Sequence, residues 1–325
     1  MIFLHIFEYT ILPLFCMVAV GYVLDKQFHL DQGTLNKLNF YFIMPCFIFS
    51  CIMTTQFSTT NAIIFLAGVL IMIGHRLLAD GMTLCMGYDS KYQATLRNTT
   101  MFNNCGNLGV AVITLIFSNP PYTVHGESPY LNEAIMTQIT LLILINLTLN
   151  TVGIYQAGLG MMSKLDAVRM VMHMPTIYCV PTALLLRYFD ISLTDTFLWP
   201  AIYRPGQALL PIAMISLGMQ LARAHIQIKN LDAWLAIAAR LIGGPAVAWL
   251  VLLLIGFVHE PLPNLVEQVI FIYASVPCAV NAVLFAAEFK SNPDIAAQIV
   301  VGSTILSMIT LPCVIFIANW LYPLV

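Results

Sequence analysis

The stretch Met101–Val112, MFNNCGNLGVAV, places polar residues in the middle of an apolar sequence. Its centre holds three asparagines and two glycines, at Asn103, Asn104, Gly106, Asn107 and Gly109. Unpaired backbone groups are costly in hydrocarbon, so a polar run in a membrane protein usually lies outside the lipid or serves a special purpose within it. The positions of the membrane spans decide between these two possibilities.

The composition predicts an integral membrane protein. Hydrophobic residues make up 60% of the chain, charged residues 9%, and the mean hydropathy is +0.87. Soluble domains carry about 25% charged residues, so a soluble enzyme is excluded. Repeated apolar runs of about 20 residues are long enough to cross a bilayer as helices. We therefore predict an all-α membrane protein with ten spans, at residues 8–25, 35–54, 61–84, 94–118, 131–153, 165–188, 197–221, 231–257, 265–289 and 292–320.

The basic residues orient this arrangement. With the N-terminus outside, the predicted outer loops hold only Arg187 and Arg204. Short cytoplasmic loops carry an excess of Lys and Arg, so the asymmetry predicts that both termini lie outside. The opening stretch then falls inside span 4. The predicted inner loops hold Lys26, Lys37, Lys91, Arg97, Lys164, Arg169, Arg223, Lys229 and Lys290.

The sequence lacks the common motifs of catalysis and metal binding. None of the eight cysteines forms a C-x-x-C pair, and their apolar surroundings are typical of packing residues. The sequence contains no phosphate-binding loop, no H-E-x-x-H and no G-x-S-x-G. We therefore predict that the protein is not an enzyme and uses no cofactor or metal.

Weak matches between the two halves indicate an internal repeat. Five spans per half would place the second half in the membrane in the opposite sense, as in many secondary transporters. We predict a first repeat at residues 1–154, a short cytoplasmic linker at 155–164 and an inverted second repeat at 165–325. The matches are Pro45 with Pro211, Ser50 with Ser216, RLLADG at Arg76 with RLIGGP at Arg240, and Asn107 with Asn281.

Two predicted spans are interrupted, span 4 by the opening stretch and span 9 by Pro277. Proline lacks an amide hydrogen and clashes with the preceding helical turn. Paired breaks at matching positions are typical of a transport site. The half-helices that follow them begin with free amides, which favour an anion such as a carboxylate. The alternative is that the asparagines and small residues only hold neighbouring helices together.

The chain resembles the auxin efflux carrier family over nearly its whole length. The resemblance rests on FNNCGNLGVAV in span 4, LLPIAMISLGMQL in span 7, and the sequence from SVPCAVNAVLF to SMITLP in spans 9 and 10. It implies ten helices in two inverted repeats, with spans 4 and 9 crossing at their breaks. It also implies a scaffold of spans 1, 2, 6 and 7, a transport bundle of spans 3–5 and 8–10 that moves like an elevator, and a homodimer.

The resemblance also assigns residues. Asn104 corresponds to the crossover asparagine that meets the substrate carboxylate, and Pro277 to the crossover proline of span 9. The chain departs from the pattern at Asn103, where plant members carry proline, and at Ala111, where many members do. Its short linker resembles that of bacterial members, which implies a bacterial inner membrane. The predicted substrate site comprises Asn103, Asn104, Gly106, Asn107, Gln138, Pro277, Cys278 and Asn281.

Arg76 and Asp80 in span 3 and Arg240 in span 8 are interpreted as charges within the membrane. Such residues are expensive in a membrane and usually face a partner or a cavity. Arg76 and Asp80 are four residues apart on one helix face and are predicted to pair. Asp80 either takes up a proton or cation that is coupled to transport, or forms a static pair. Arg240 either binds a carboxylate substrate or contacts the opposing helix bundle. His75 and His173 have no evident partner and are read as packed residues.

These features predict a secondary transporter for a small organic anion, such as an auxin-like acid or a dicarboxylate. An anion channel is the first alternative, because the same polar centre could act as a filter. A carboxylate symporter coupled to protons or sodium is the second. The expected partners are the anion, the lipid bilayer and a second copy of the chain, with no role for nucleic acid.

Overall fold

The computed structural model describes residues 7–54, 60–158, 169, 172, 175–223 and 230–324. Most of the predicted linker and the start of predicted span 6 lie outside the described residues. Lys164, His173 and Lys229 lie outside them as well.

Helices account for most of the described residues, which contain no β-strand apart from isolated bridges. We number the main helices α1 Phe7–Phe28, α2 Gln32–Thr54, α3 Thr60–Met86, α4 Ser90–Met101, α5 Cys105–Phe117, α6 Leu131–Ala157, α7 Pro175–Tyr188, α8 Trp199–Arg223, α9 Leu231–Val258, α10 Asn264–Ala274, α11 Asn281–Glu288 and α12 Pro293–Leu321.

Seven of these helices are long and apolar enough to cross a membrane: α1, α2, α3, α6, α8, α9 and α12. Each coincides with a predicted span to within a few residues. The other three predicted spans correspond to shorter segments, namely α4 with α5, α7, and α10 with α11. The helical membrane fold is therefore confirmed, and the count of ten spans stays a prediction.

Side-chain caps set the beginnings of several helices. The Asp31 carboxylate accepts hydrogen bonds from the amides of Gly33 (3.0 Å) and Thr34 (3.3 Å) at the start of α2. A hydrogen bond from the Thr34 hydroxyl, together with these two amide bonds, holds the pKa of Asp31 below its usual range. Asp89 caps α4 in the same way and Asn230 caps α9.

The opening stretch contains a real interruption, and it lies at Phe102–Asn104. α4 ends at Met101, Phe102 is extended, and α5 begins at Cys105. The glycines at 106 and 109 lie within the first turn of α5 rather than at the break. The second interruption separates α10 from α11 and contains Pro277.

The two interruptions are hydrogen-bonded to each other. The Asn104 amide donates to the Pro277 carbonyl (2.8 Å), and the Ala279 amide donates to the Phe102 carbonyl (2.9 Å). Asn103 and Cys278 form an antiparallel bridge between these bonds. Backbone amides and carbonyls that have no partner within their own helix thus form hydrogen bonds with the other interrupted segment.

The described helices pack in two groups. In the first group, α8 packs on α1 and α2, and α7 packs on α2. The second group contains α3 to α6 and α9 to α12, with α3 against α4, α6 and α9, and α10 against α6 and α9. Contacts between the groups are fewer: α5 packs against α1 and α8, α2 against α6, and α12 against α1.

A close crossing of α1 and α8 organises the first group. A Cβ atom at Gly21 would lie 2.2 Å from the Ile215 carbonyl oxygen, and one at Gly218 only 2.0 Å from that of Val18. Small residues commonly allow membrane helices to approach this closely. Both glycines are therefore required by the contact itself.

Candidate functional site

A cavity of about 340 Å³ lies between the two helix groups, beside the first interruption. Residues from α2, α5, α6, α7, α8 and α11 line it. Its size is at the lower end of the range for small-molecule sites. Eight of its lining residues carry carboxamide side chains: Gln32, Asn36, Asn103, Asn104, Asn107, Asn146, Gln220 and Asn281.

The remaining lining residues are mainly apolar, and one is charged. Phe40, Met44, Leu149 and Phe285 belong to the apolar part. Among the residues that the structure describes, Lys37 is the one charged residue of the lining, which includes no carboxylate there. The cavity therefore offers neutral hydrogen-bonding groups, an apolar wall and a net positive charge.

Asn103 and Asn104 hold the unpaired polar atoms of the site. The Asn103 side-chain nitrogen donates to the Tyr273 carbonyl (2.7 Å), while its Oδ1 is buried and has no donor in the described part of the chain. Asn104 is 7% exposed, and its Nδ2 has no acceptor among the described residues. A buried donor without an acceptor is costly unless a ligand or water satisfies it.

Asn39 and Asn107 connect the two helix groups at the cavity. The Asn39 Nδ2 on α2 donates to the Asn107 Oδ1 on α5 (3.0 Å). Beside them, the Ser216 hydroxyl on α8 donates to the Asn36 Oδ1 (2.8 Å). Sequence reasoning missed Asn36 and Asn39, although the polar pattern of NKLNF in span 2 offered a signal.

Two helix beginnings lie at the cavity. Cys105, Gly106 and Asn107 start α5, and Asn281 starts α11. The first amides of a helix have no acceptor within it and carry a partial positive charge. The cavity therefore lies where two helix N-termini favour negative charge.

The structure places five of the predicted substrate residues on the cavity: Asn103, Asn104, Gly106, Asn107 and Asn281.

The other three predicted substrate residues are not part of the lining. Gln138 is buried and donates to the Cys105 carbonyl (3.2 Å), so it supports α5. Cys278 is buried, and its amide donates to the Ser303 hydroxyl (3.2 Å). Pro277 contributes its carbonyl to the Asn104 amide. These three therefore hold the interruptions together without lining the cavity.

Asp80 belongs to a separate ionic cluster. Its carboxylate lies 3.8 Å from the Arg76 Nε, as predicted, but only 2.5 Å from the Arg97 Nε. Gln93 also donates to it, at 3.3 Å. Sequence analysis counted Arg97 in an inner loop, whereas it lies within α4. None of these side chains lines the cavity, and the choice between a coupling role and a static ion pair for Asp80 stays a prediction.

Arg240 and His75 form a buried contact that the sequence did not indicate. Arg240 is 1% exposed, and its Nη1 lies 3.1 Å from the His75 Nε2. The expectation that His75 has no partner is therefore wrong. Arg240 is not part of the cavity lining.

No metal centre is evident in the part of the chain that the structure describes. No three His, Cys, Asp or Glu side chains lie close enough there to hold an ion. The groups that could bind a ligand in the cavity are therefore its carboxamides, its apolar wall and Lys37.

Comparison with known families identifies the class of protein. A family model described as "Membrane transport protein" matches residues 6–179 and 184–315, which is nearly the whole chain. The chain belongs to this family, the auxin efflux carriers, which are membrane transporters and not enzymes. A search of curated proteins found no significant match.

Proposed function

We propose that this protein is a secondary transporter that moves a small organic anion bearing a carboxylate. The observation that carries the proposal is the lining of the 340 Å³ cavity, whose described residues combine eight carboxamides and one lysine with no acidic side chain. A cation site would need carboxylates or several converging carbonyls, and a neutral apolar ligand would leave the amides unpaired.

The carboxylate would bind at the beginnings of α5 and α11. There the Asn104 Nδ2 has no acceptor among the described residues, and the first amides of α5 and the Asn281 amide of α11 would serve as further donors. Hydrogen bonds from neutral donors to a charged acceptor are stronger than those between neutral groups. The apolar part of the anion would pack against Phe40, Met44 and Phe285.

The two helix groups supply a means of alternating access. We propose that α1, α2, α7 and α8 form the scaffold and that the other helices form a bundle that moves against it. The hydrogen bonds between the two interruptions keep the halves of the bundle together during this movement. The ten spans, the inverted repeats divided at residues 155–164, the crossover and the homodimer belong to the same proposal.

The cavity lining extends to Gln32 and Lys37 at the beginning of α2. The basic residues of the short loops assign this end to the cytoplasm. We therefore propose that the structure is in the inward-facing state, in an inner membrane, with both termini on the outer side.

Binding measurements on the purified protein test the carboxylate site. A panel of aromatic monocarboxylates and short dicarboxylates would be screened by thermal shift, and affinities measured for those that bind. Asn104→Ala removes a donor to a charged group and is expected to weaken binding about ten- to a hundredfold.

Asn264→Ala is the matched control, because Asn264 donates to the Pro323 carbonyl outside the cavity. It should leave affinity unchanged. If no carboxylate binds, or if Asn104→Ala binds as well as the wild type, the proposed site is wrong. In proteoliposomes a carrier should show counterflow of labelled substrate, whereas unitary currents would indicate a channel.

A further inference from the structure

Arg240 is a buried cation without an acidic partner among the described residues. It lies on α9 and is the largest of the side chains that are less than 2% exposed. Its guanidinium donates to three backbone carbonyls, those of Thr100 (2.8 Å), Val276 (2.9 Å) and Ala274 (3.0 Å). A buried charge is tolerated only when nearby groups compensate it.

The three carbonyls belong to the C-terminal ends of the two interrupted helices. Thr100 is in the last turn of α4, Ala274 is the last residue of α10, and Val276 lies two residues beyond it at the start of the interruption. The last carbonyls of a helix lack partners within it. Arg240 therefore satisfies groups that both interruptions leave open.

The remaining contact of Arg240 fixes the state of His75. A guanidinium can only donate, so the His75 Nε2 must accept from it. The His75 Nδ1 then carries the hydrogen and donates to the Ile71 carbonyl (2.8 Å). This tautomer is neutral, so His75 adds no second positive charge beside Arg240.

Gly244 allows α9 to approach closely enough for this arrangement. A Cβ atom at Gly244 would lie 2.3 Å from the Ala274 carbonyl oxygen and 3.2 Å from the His75 Nε2. Gly244 lies one helical turn after Arg240 on the same helix. The close approach and the buried arginine therefore form one structural unit.

The charges in this unit balance without a carboxylate. The C-terminus of a helix carries the equivalent of about half a negative elementary charge. Two such ends, at α4 and α10, supply about one negative charge around the single positive charge of Arg240. In transporters with discontinuous helices, the same combination of unwound carbonyls and half-helix C-termini coordinates sodium or a proton.

We propose that Arg240 is a tethered cation that occupies the place of a diffusible coupling ion, so that this carrier needs no sodium there. The inference rests on the proposed transport function and specifies its ion dependence. Arg240 acts as a positioning residue, because it holds the C-terminal ends of α4 and α10 together and does not line the cavity.

Thermal stability of the purified protein in chloride salts of different cations provides the test. The wild type should melt at the same temperature in sodium chloride and in choline chloride. Arg240→Ala should melt several degrees lower in choline chloride, and sodium or ethylguanidinium should restore at least half of that loss. Arg240→Lys keeps the charge, so its melting temperature should fall less than that of Arg240→Ala, and added cations should raise it less.

Arg204→Ala is the matched control, because Arg204 is exposed on α8. It should show neither the loss nor the restoration. If Arg240→Ala does not fold, Arg240→Lys is compared with Arg240→Gln, and the Gln variant should be less stable and should respond more strongly to cations. Equal stability of those two variants, or an Arg240→Ala protein indifferent to every cation, would overturn the proposal.

A binding assay separates this inference from the proposed function. Carboxylate binding by the wild type should be equally strong in sodium and in choline buffers. Binding that requires sodium would contradict the role of Arg240 but keep the anion site. The absence of binding in both buffers would refute the proposed function. The response of the Arg240 variants to cations would still test the role of Arg240 separately.

Discussion

At the scale of single residues, Lys37 provides the positive charge of the cavity. Lys37→Gln should weaken carboxylate binding about two- to fivefold at low salt, because exposed charge pairs contribute only about 0.2–1 kcal/mol. The effect should shrink as ionic strength rises. Affinities measured by titration at low and high salt check this expectation.

Lys37→Arg is the control for Lys37→Gln, since it keeps the charge and should bind nearly as well as the wild type. If the Gln variant binds a carboxylate more tightly than the wild type, Lys37 does not attract the anion. An effect independent of salt would also contradict an electrostatic role.

Individual residues were predictable to different degrees. Asn104 was predictable because a carboxamide inside an apolar span is costly unless it has a hydrogen-bonding partner. The structure places it on the cavity, where its Nδ2 has no acceptor among the described residues. The carbonyl partners of Arg240 were not predictable, because every residue has a backbone carbonyl and the sequence does not show which of them lie near Arg240. Asn39 was missed because its significance depends on α2 facing Asn107 across the boundary between the helix groups.

At the scale of helices, the contact of α1 with α8 depends on Gly218. Gly218→Ala would place a Cβ atom 2.0 Å from the Val18 carbonyl oxygen, so the helices would have to separate. We expect destabilisation of about 1–3 kcal/mol, typical of overpacking. Thermal melting in detergent would show a lower transition temperature.

Gly81→Ala provides the comparison for Gly218→Ala. Gly81 also lies in a membrane helix, but a Cβ atom there would meet nothing within 4 Å. Its melting temperature should equal that of the wild type or exceed it slightly, because alanine favours the helix more than glycine does. Equal stability of the two variants would contradict a close crossing of α1 and α8.

The helix interruptions show what composition can and cannot reveal about an element. Proline, glycine and asparagine predicted that both spans would break. They did not reveal that the first break precedes both glycines, because its position is fixed by hydrogen bonds from Asn104 and Ala279 across to the other segment. Such pairing joins residues more than 170 positions apart and leaves no local pattern.

At the scale of the whole molecule, the charge asymmetry predicts which end faces the cytoplasm. A single cysteine at position 37, in a protein without other accessible cysteines, should react with an impermeant thiol reagent in inside-out vesicles only. A cysteine replacing Asp195, in the predicted outer loop between α7 and α8, should react in right-side-out vesicles only. The reverse pattern would invert the topology and make the observed cavity outward-facing.

The carboxamide lining has a consequence for how acidity would affect transport. A carboxamide neither gains nor loses a proton near neutral pH, so the eight side chains offer the same donors and acceptors in acidic and alkaline surroundings. Only the cargo changes, because a protonated acid loses the charge that helix N-termini and Lys37 attract. We therefore expect the carrier to load best from the more alkaline compartment, so that the acidity difference across the membrane biases net flow through the ionisation of the cargo alone.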